Sequence, residues 1–455
     1  MKILWLCNMA LPVAARQLGM EASNKEGWLS GLADMVWKNQ EESGIVLSVA
    51  FPLPSGFLEG GDVRRETIAV QGGSFRCYGF REDVGHAEKY DPALEPVLKK
   101  IVNIEEPDLV HCFGTEYPHT LAMCRVFTRK DRILVGLQGT CTLYARAYYA
   151  DLPEEVIRWV TLRDWLKRDT LRKQQEKFVR RGETEREILS LAGNVTGRTD
   201  WDREFARECN PRACYYHMNE TLRREFYGPV WQEGGCVPHS IFVSQGDYPL
   251  KGLHYMLLAL PGILEKYPDA RVYVAGGSLV EYGTLKQKLK LSAYGRYLRK
   301  LLAREDLWDR VVFLGRLDAE QMRDRFLESS LFVCPSALEN SPNSLGEAML
   351  LGMPCVSADV GGIPSIFTGE EDGILYQGFR EPGGDRLMEI AGNLAEAVIR
   401  MWSSPERMRT ACENARRHAG HTHHGERNYR RLVEIYAQIL GEGECGHADG
   451  QEEQP

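Results

Sequence analysis

The sequence predicts an α/β protein made of two doubly wound domains, each built on a parallel sheet. The chain has 455 residues, more than one hydrophobic core usually organises, so two domains of about two hundred residues are expected. Short apolar runs also alternate with amphipathic stretches along both halves of the chain. This alternation is typical of repeated strand–helix–strand units.

The first half contains four apolar runs typical of buried parallel strands, with an amphipathic helix predicted at Gly27–Asn39 after the first. The runs are Lys2–Asn8, Ile45–Phe51, Asp108–Phe113 and Ile133–Gln138. The opening run also loosely resembles a signal peptide with a small-residue cleavage site. We interpret it as a strand, because Asn8 interrupts its apolar core and the domain would otherwise lack its first strand.

The second half repeats the pattern more clearly, and turn-forming residues at Tyr227–Pro238 predict an interdomain hinge before it. Its predicted strands are Ile241–Ser244, Arg271–Ala275, Val311–Leu314, Leu331–Pro335 and Cys355–Ala358. We therefore expect an N-terminal domain at 1–230, a C-terminal domain at 231–424, a final helix at 425–441 and a disordered tail at 442–455.

The composition is that of an ordinary globular enzyme, with 43% hydrophobic and 26% charged residues. The net charge of -8 gives no reason to expect nucleic acid as a partner. No apolar run approaches the roughly 20 residues that cross a bilayer. The 12 cysteines are scattered without zinc-type spacing and predict reduced thiols, which favours the cytoplasm.

One segment is strongly basic. Residues Glu154–Arg181 predict a long helix, and from Val156 to Arg181 nine Lys/Arg residues accompany three Asp/Glu residues. A solvated helical face is the simpler interpretation. The alternative is a peripheral contact of the 156–181 helix with an anionic membrane, at its inner face, or with a lipid-linked acceptor. Trp159, Leu162 and Leu166 at helical spacing support that alternative.

The most informative segment is Pro335–Pro364. Glu339 follows a predicted strand, where open parallel sheets place ligand-binding groups. Glu347 lies eight positions later in a predicted helix and points away from its buried stripe, on the side of Asn343, so we expect it to face water or a cleft. The stripe consists of Leu345, Ala348, Met349 and Gly352.

Two interpretations of this helix start remain open. Ser344 and Glu347 have the spacing of a capping box, in which both side chains satisfy backbone N–H groups. That interpretation leaves Glu339 and the nearby GGIP turn unexplained. A helix N-terminus is also a ready site for a diphosphate, around which carboxylates accept hydrogen bonds from sugar hydroxyls. Together the features favour a ligand site.

The spacing of Glu339 and Glu347, followed by EAMLLGMPCVSADVGGIP, resembles the donor-site motif of family 4 retaining glycosyltransferases. The similarity includes VSQGDYPLKGL (243–253), AGG (275–277) and FLGRL (313–317), and it is weaker before Asp200. The resemblance implies the GT-B fold, in which two Rossmann-like domains face a cleft and a C-terminal helix returns to the N-terminal domain.

The resemblance also implies roles for individual residues. Glu339 would contact the donor sugar, and Glu347 would bind the nucleotide ribose. The backbone N–H groups of Asn343, Ser344 and Leu345 would meet the diphosphate.

On the same resemblance, Lys251 would neutralise the leaving diphosphate, a task that suits a flexible ammonium group. Family members commonly carry an arginine about five residues earlier, where this chain has Gly246. Backbone donors near Gly246, or Arg316, are candidates to compensate. For Arg316, the favoured interpretation is that it marks the loop that meets the nucleotide base.

The N-terminal half is expected to hold the acceptor. Gly27 resembles the glycine-rich turn before the first long helix of the family, and Gln138 stands where many members have a cleft histidine. His119 is a candidate substrate contact or a structural residue. Arg198 either faces the cleft or pairs with Asp200.

No metal site is expected. The histidines at 418, 421, 423 and 424 are expected to form a surface cluster beside the helix Asn428–Leu440. The donor is a nucleotide diphosphate sugar that acts as co-substrate, without metal or other cofactor.

The predicted reaction is retaining sugar transfer, of hexosyltransferase type, to a hydroxyl of a saccharide or lipid-linked acceptor in surface polysaccharide or glycolipid synthesis. A nucleotide-sugar epimerase on the same fold is the alternative among enzymes. A catalytically silent nucleotide-sugar binding protein is the alternative outside them.

Overall fold

The computed structural model of the chain describes residues 1–20, 27–70, 73–277, 280, 284, 289–380 and 386–441. These residues form two α/β domains with one central sheet each. The disordered tail predicted at 442–455 lies outside the described residues.

The first domain contains an eight-stranded sheet with the order β3-β4-β2-β1-β5-β6-β7-β8. All neighbouring strands are parallel except the edge pair β3 and β4. The strands are β1 (Lys2–Leu6), β2 (Val46–Leu53), β3 (Val63–Val70), β4 (Gly73–Arg81), β5 (Leu109–Phe113), β6 (Ile133–Gly136), β7 (Asn194–Gly197) and β8 (Cys214–His217).

Helices cover both faces of this sheet. Side chains alternate along β1, so that Ile3 and Trp5 pack into one core and Leu4 and Leu6 into the other. The helices are α1 (Pro12–Gln17), α2 (Gly27–Lys38), α3 (Gln40–Ser43), α4 (Leu94–Glu105), α5 (Pro118–Val126), α6 (Cys141–Ala147), α7 (Glu154–Arg158), α8 (Leu162–Lys167), α9 (Leu171–Leu191) and α10 (Asp200–Cys209).

The second domain contains a six-stranded parallel sheet with the order β11-β10-β9-β12-β13-β14. Its strands are β9 (Val237–Val243), β10 (Arg271–Ala275), β11 (Val311–Gly315), β12 (Ser329–Cys334), β13 (Cys355–Asp359) and β14 (Ile374–Gln377). Its helices are α11 (Leu253–Lys266), α12 (Ala293–Arg304), α13 (Ala319–Glu328), α14 (Asn343–Leu351), α15 (Leu387–Trp402) and α16 (Pro405–Thr422).

The final helix, α17 (Gly425–Leu440), returns to the first domain, as the family resemblance implied. Its Tyr436 is fully buried against β1 and β5. The Tyr436 hydroxyl accepts a hydrogen bond from Trp5 Nε1 at 2.8 Å and lies 2.8 Å from His111 Nδ1. A buried polar network therefore fixes the returning helix to the centre of the first sheet.

All nine strand predictions coincide with observed strands, with shifts of at most four residues at their ends. The strands β3, β4, β7, β8 and β14 were not among them. The long helix predicted from Glu154 to Arg181 was wrong, because three helices occupy that stretch. Thr161 and Thr170 cap the second and third of these helices, and Arg168 adopts a left-handed conformation with φ of 51°.

The hinge segment predicted at Tyr227–Pro238 joins β8 to β9. Trp231 anchors it to the second domain, because its backbone N–H donates to Leu351 O and its Nε1 donates to Ser329 O, both at 2.8 Å. In the described part of the chain, no helix combines the length and apolar character that a bilayer crossing requires.

Candidate active site

Glu339 and Lys251 form the centre of the site, at the carboxyl ends of strands in the second sheet. Lys251 Nζ lies 2.6 Å from Glu339 Oε1, and Ser336 Oγ donates to the same oxygen at 2.8 Å. Although 88 residues separate the two charges, β9 and β12 are neighbours in the sheet and bring their following loops together. The structure therefore joins the two predicted catalytic residues in one ion pair.

The backbone around Lys251 holds its side chain in place. The residue ends a 3-10 turn, Pro249–Lys251, and Gly252 follows with φ of 67°. A Cβ atom at Gly252 would collide with Pro335 O, so a side chain is excluded there. Burial alone would lower the pKa of Lys251, but the Glu339 carboxylate and Tyr248 raise it well above its ordinary value. Lys251 is therefore a fixed positive charge.

Glu347 does not face water. It is only 3% exposed, and Arg223 binds it with both ends of the guanidinium, through Nε to Oε1 at 2.6 Å and Nη2 to Oε2 at 2.7 Å. Burial raises the pKa of Glu347, and the arginine opposes this shift. The expectation that Glu347 faces water was wrong, because a helix stripe shows only which residues share a face. The contacts of that face come from the rest of the chain.

The capping box predicted for Ser344 and Glu347 is also absent. Helix α14 begins at Asn343 after Pro342, and its N-cap makes no side-chain hydrogen bond. The Leu345 N–H donates to Pro342 O at 2.9 Å. Among the described residues, no acceptor meets the Asn343 and Ser344 N–H groups, so two of the three predicted diphosphate donors are available.

Gly246, where the resemblance leads us to expect an arginine, is tightly packed against its neighbours. Gly246 is buried, and a Cβ atom there would lie 2.7 Å from Leu253 Cδ2 and 3.1 Å from Val274 Cγ1. Arg316 is exposed at the end of β11 and lies near Asp247. Burial raises the pKa of Asp247, while the Gly277 N–H and Arg316 oppose the shift.

Asn340 joins the two domains directly beside Glu339. Its Nδ2 donates to Asp202 Oδ2 at 3.1 Å and to Gln138 O at 3.2 Å, and its Oδ1 accepts from Thr199 Oγ1 at 2.7 Å. The GGIP turn holds the same loop, because the Gly362 N–H donates to Glu339 O at 3.0 Å. The cleft is therefore closed around these residues by interdomain hydrogen bonds.

Arg198 faces this junction and forms a buried ion pair with Glu220. Pairing with Asp200 was wrong, since Asp200 binds Arg203 at 2.6 Å. Arg198 Nη2 also donates to Gln138 O at 3.3 Å. Burial raises the pKa of Glu220, while Arg198, Gln138 and Asn343 oppose the shift through their contacts with it.

The remaining acceptor-side candidates differ in setting. Gly27 is the first residue of α2, in agreement with the expected helix start. His119 is fully buried, with Nδ1 2.6 Å from Glu82 Oε2 and Nε2 3.1 Å from Asn8 Oδ1. Both ring nitrogens thus have protein partners, which favours the structural alternative for His119.

The predicted histidine surface cluster was partly wrong. His423 is 6% exposed, and this burial lowers its pKa to about 4, although the contact of its Nδ1 with Glu220 O at 2.7 Å opposes the shift. His418 instead lies 2.7 Å from Asp372 Oδ2, and this contact raises its pKa. The described residues contain no group of three or more His, Cys, Asp or Glu side chains arranged to hold a metal ion.

The sequence interpretation missed Arg223, Asn340, Glu220 and the tyrosines beside the ion pair, Tyr144 and Tyr248. Asn340 adjoins Glu339 in sequence, and its position within the motif was an available signal. Arg223 lies 124 residues from Glu347 and follows no recognisable pattern.

Comparisons with known proteins find similarity to glycosyltransferases. Residues 238–418 match the model of the family described as glycosyl transferases group 1. A D-inositol 3-phosphate glycosyltransferase from Streptomyces scabiei (strain 87.22) is 33% identical over 157 residues, 34% of this chain and 33% of the relative. The chain spans less than half the length of the curated relatives that it matches.

Solved structures share the fold over nearly the whole chain. Sucrose-phosphate synthase from Thermosynechococcus elongatus has a TM-score of 0.67 at 16% identity and covers 97% of this chain and 100% of its own. HepE of Anabaena in complex with UDP-glucose has a TM-score of 0.60 at 17% identity and covers 96% and 100%. The fold is GT-B, as the sequence motif implied.

Proposed function

We propose that this chain, whose residues 238–418 match the model of the glycosyl transferases group 1 family, transfers a sugar from a nucleotide diphosphate sugar to a hydroxyl acceptor. The observation that carries the proposal is the partly buried ion pair of Lys251 and Glu339 beside the N-terminus of α14. A fixed cation, a carboxylate and free backbone N–H groups match the phosphate and sugar parts of such a donor.

The Lys251–Glu339 pair can remain intact while it binds the donor. An ammonium group has three N–H donors, so Lys251 can bind Glu339 and a phosphate oxygen at the same time. A carboxylate has about four lone-pair sites, so Glu339 can still accept from sugar hydroxyls. Glu347 likewise keeps sites for ribose hydroxyls beside Arg223. Neither carboxylate has to lose its protein partner.

We infer retention of the anomeric configuration from the resemblance to family 4. In this mechanism the bond from the anomeric carbon to the phosphate oxygen breaks, and the acceptor oxygen bonds to the same face of the sugar. The acceptor proton passes to the leaving diphosphate. Lys251 stabilises the charge that develops on that diphosphate, and no protein base is required.

The hydrogen bonds of Asn340 between the domains favour sugar transfer to an acceptor over hydrolysis of the donor. Water is itself a hydroxyl acceptor, and a closed cleft excludes it during the reaction. The acceptor, a saccharide or a lipid-linked molecule, is expected on the side of Gln138 and Arg198. Surface polysaccharide or glycolipid synthesis and a cytoplasmic location remain predictions.

A thermal-shift screen across nucleotide sugars tests the proposal, with UDP-glucose included because HepE of Anabaena binds it. A donor at 100 times its dissociation constant is expected to add roughly 2.7 kcal/mol of stability. Stabilisation by none of the nucleotide sugars would contradict the proposal. The variant Lys251→Met removes the proposed phosphate contact, and we expect it to reduce the stabilisation by the donor.

Product analysis by mass spectrometry then separates the proposed activity from its alternatives. A glycosylated acceptor together with free nucleoside diphosphate supports transfer. Isomerised donor without acceptor use would indicate an epimerase. Binding without any turnover would indicate a silent binding protein.

A further inference from the structure

The helix α8 and the residue Val160 just before it expose an unusual amount of apolar surface. Val160 is 57% exposed, Leu162 49%, Trp165 67% and Leu166 65%. The last three lie at helical spacing and share one face of the helix. We call these four side chains, with the adjoining Lys167 and Arg168, the α8 surface. Contiguous exposed apolar groups of this kind mark interaction sites.

The opposite side of α8 is fixed to the second domain. Asp164 is buried, and its Oδ2 accepts a hydrogen bond from the Ala293 N–H at the start of α12 at 2.9 Å. Asp164 also completes a capping box with Thr161. The exposed face of α8 is therefore held outward by hydrogen bonds on its inner side.

Positive charges surround the apolar side chains. Lys167 and Arg168 directly follow Leu166, and within the described residues neither makes an ion pair. The residue before Val160 is Trp159, and two cations lie over its ring, Lys300 Nζ at 4.1 Å and the Arg296 guanidinium at 4.9 Å from the ring centre. The nearby carboxylates of Glu154 and Asp169 are already paired with cations.

We propose that the α8 surface docks on an anionic lipid bilayer. Trp165 and the leucines would enter the boundary between headgroups and acyl chains, where tryptophan is favoured. Lys167 and Arg168 would meet the lipid phosphates. A second copy of the chain fits less well, since a symmetric interface would bring the like charges of the two copies together.

The location of α8 connects this surface to the candidate active site. Arg163 and Asp164 line a cavity of about 170 Å³ together with Asp247 and Tyr248, which precede Lys251 in the chain. Docking would thus place the interdomain cleft beside the bilayer, where a lipid-linked acceptor resides. This link rests on the proposed function, whereas membrane docking itself does not.

Co-sedimentation of the full chain with vesicles, in the absence of any donor, tests the docking. Binding is expected to vesicles of equal parts phosphatidylglycerol and phosphatidylcholine, and to be much weaker with phosphatidylcholine alone or in 1 M salt. Trp165→Ser/Leu166→Ser should weaken binding at least about tenfold by removing buried apolar area. Lys167→Gln/Arg168→Gln should weaken it on the order of tenfold.

Matched controls change the same residue types elsewhere. Trp308→Ser/Met388→Ser alters exposed apolar side chains, and Lys99→Gln/Lys100→Gln alters exposed lysines on α4. Both controls should bind vesicles normally. Absence of vesicle binding, or equal binding by all variants, would overturn the proposal. A dimer that Trp165→Ser/Leu166→Ser dissociates, without vesicle binding, would assign the α8 surface to contact between copies.

Donor stabilisation is measured on the same variants by thermal shift. It should be unchanged in all of them, because none of the substituted residues belongs to the donor site. Loss of vesicle binding with normal donor stabilisation therefore separates membrane docking from sugar transfer.

Discussion

Lys251 Nζ and Ser336 Oγ both bind the same oxygen of Glu339, Oε1, at 2.6 and 2.8 Å. Among the described residues, no side chain donates to Glu339 Oε2. The protein thus orients the carboxylate through one oxygen and leaves the other for a ligand. This division of the two oxygens is the basis of the first prediction.

Glu339→Gln should reduce turnover at least about a hundredfold while the protein remains folded. The neutral amide loses the charge that orients Lys251 and binds the donor sugar more weakly. Steady-state release of nucleoside diphosphate measures the effect, with circular dichroism to monitor folding. Glu320→Gln, at an exposed position in α13, is the control. Normal transfer by Glu339→Gln would refute the assignment.

Arg223→Ala should destabilise the protein by about 3–5 kcal/mol, because it leaves the buried Glu347 carboxylate without its cation. Urea unfolding measures the difference. The neighbouring Arg224 is 93% exposed, so Arg224→Ala should change stability by less than about 0.5 kcal/mol. Similar values for the two variants would show that the Arg223–Glu347 pair is not held in solution.

Asn340→Ala should open the cleft between the domains. It removes the hydrogen bonds to Asp202, Gln138 and Thr199 that join them beside Glu339. Small-angle X-ray scattering should show a larger radius of gyration than in the parent protein. Asn393→Ala, which removes one exposed hydrogen bond to Gln377 O, should leave the radius unchanged. An unchanged radius for Asn340→Ala would argue against a closure role.

Stability should fall as the pH falls below about 6.5, because buried histidines are neutral in the folded state. Burial lowers the pKa of His254 to about 4, and its ring binds Ala150 O and Tyr294. Between about pH 6.5 and pH 4 the histidine takes up a proton only in the unfolded chain, so the free energy of unfolding falls over this range. At pH 5 one such histidine lowers the free energy of unfolding by about 2 kcal/mol relative to its value at neutral pH.

Unfolding free energies of His254→Gln across pH 4 to 7 check this expectation. The variant should show a smaller loss of stability with acid than the parent protein. His217→Gln, at an exposed position, should follow the parent curve. Parallel curves for His254→Gln and the parent would contradict the assignment.

Transfer should continue in the presence of EDTA. Lys251 and the N-terminus of α14 supply positive charge at the position proposed for the diphosphate. Initial rates with and without EDTA, and after addition of Mg²⁺, measure the dependence. A rate that EDTA abolishes and Mg²⁺ restores would show that the phosphate site includes a metal ion.

The buried strands could be predicted because their apolar runs carry a strong local signal. The hairpin of β3 and β4 lacked that signal, since VRRETIAV at Val63–Val70 contains three consecutive charged residues and lies at a sheet edge. The break in the basic segment was encoded locally. Thr161 and Asp164 have capping-box spacing, which marks a new helix start that the interpretation of the segment as one basic helix did not take into account.

The sequence singled out Glu339 and Lys251, and the structure brings them together because both follow strands that are neighbours in the second sheet. The environment of Glu347 was not predictable in the same way. Its partner Arg223 comes from the segment between the domains, and a helical pattern contains no information on such distant contacts. The ion pair of Glu220 with Arg198 was unpredictable for the same reason, because the two residues are distant in sequence and no local pattern links them.

The tight packing around Gly246 has a consequence for how this protein can change. An arginine there would have to displace Leu253 and Val274, which are buried and support the second sheet, or be accompanied by smaller residues at these positions. Each of those replacements alone leaves a cavity and lowers stability. An arginine introduced at Gly246 alone is therefore expected to strain the packing that supports the second sheet.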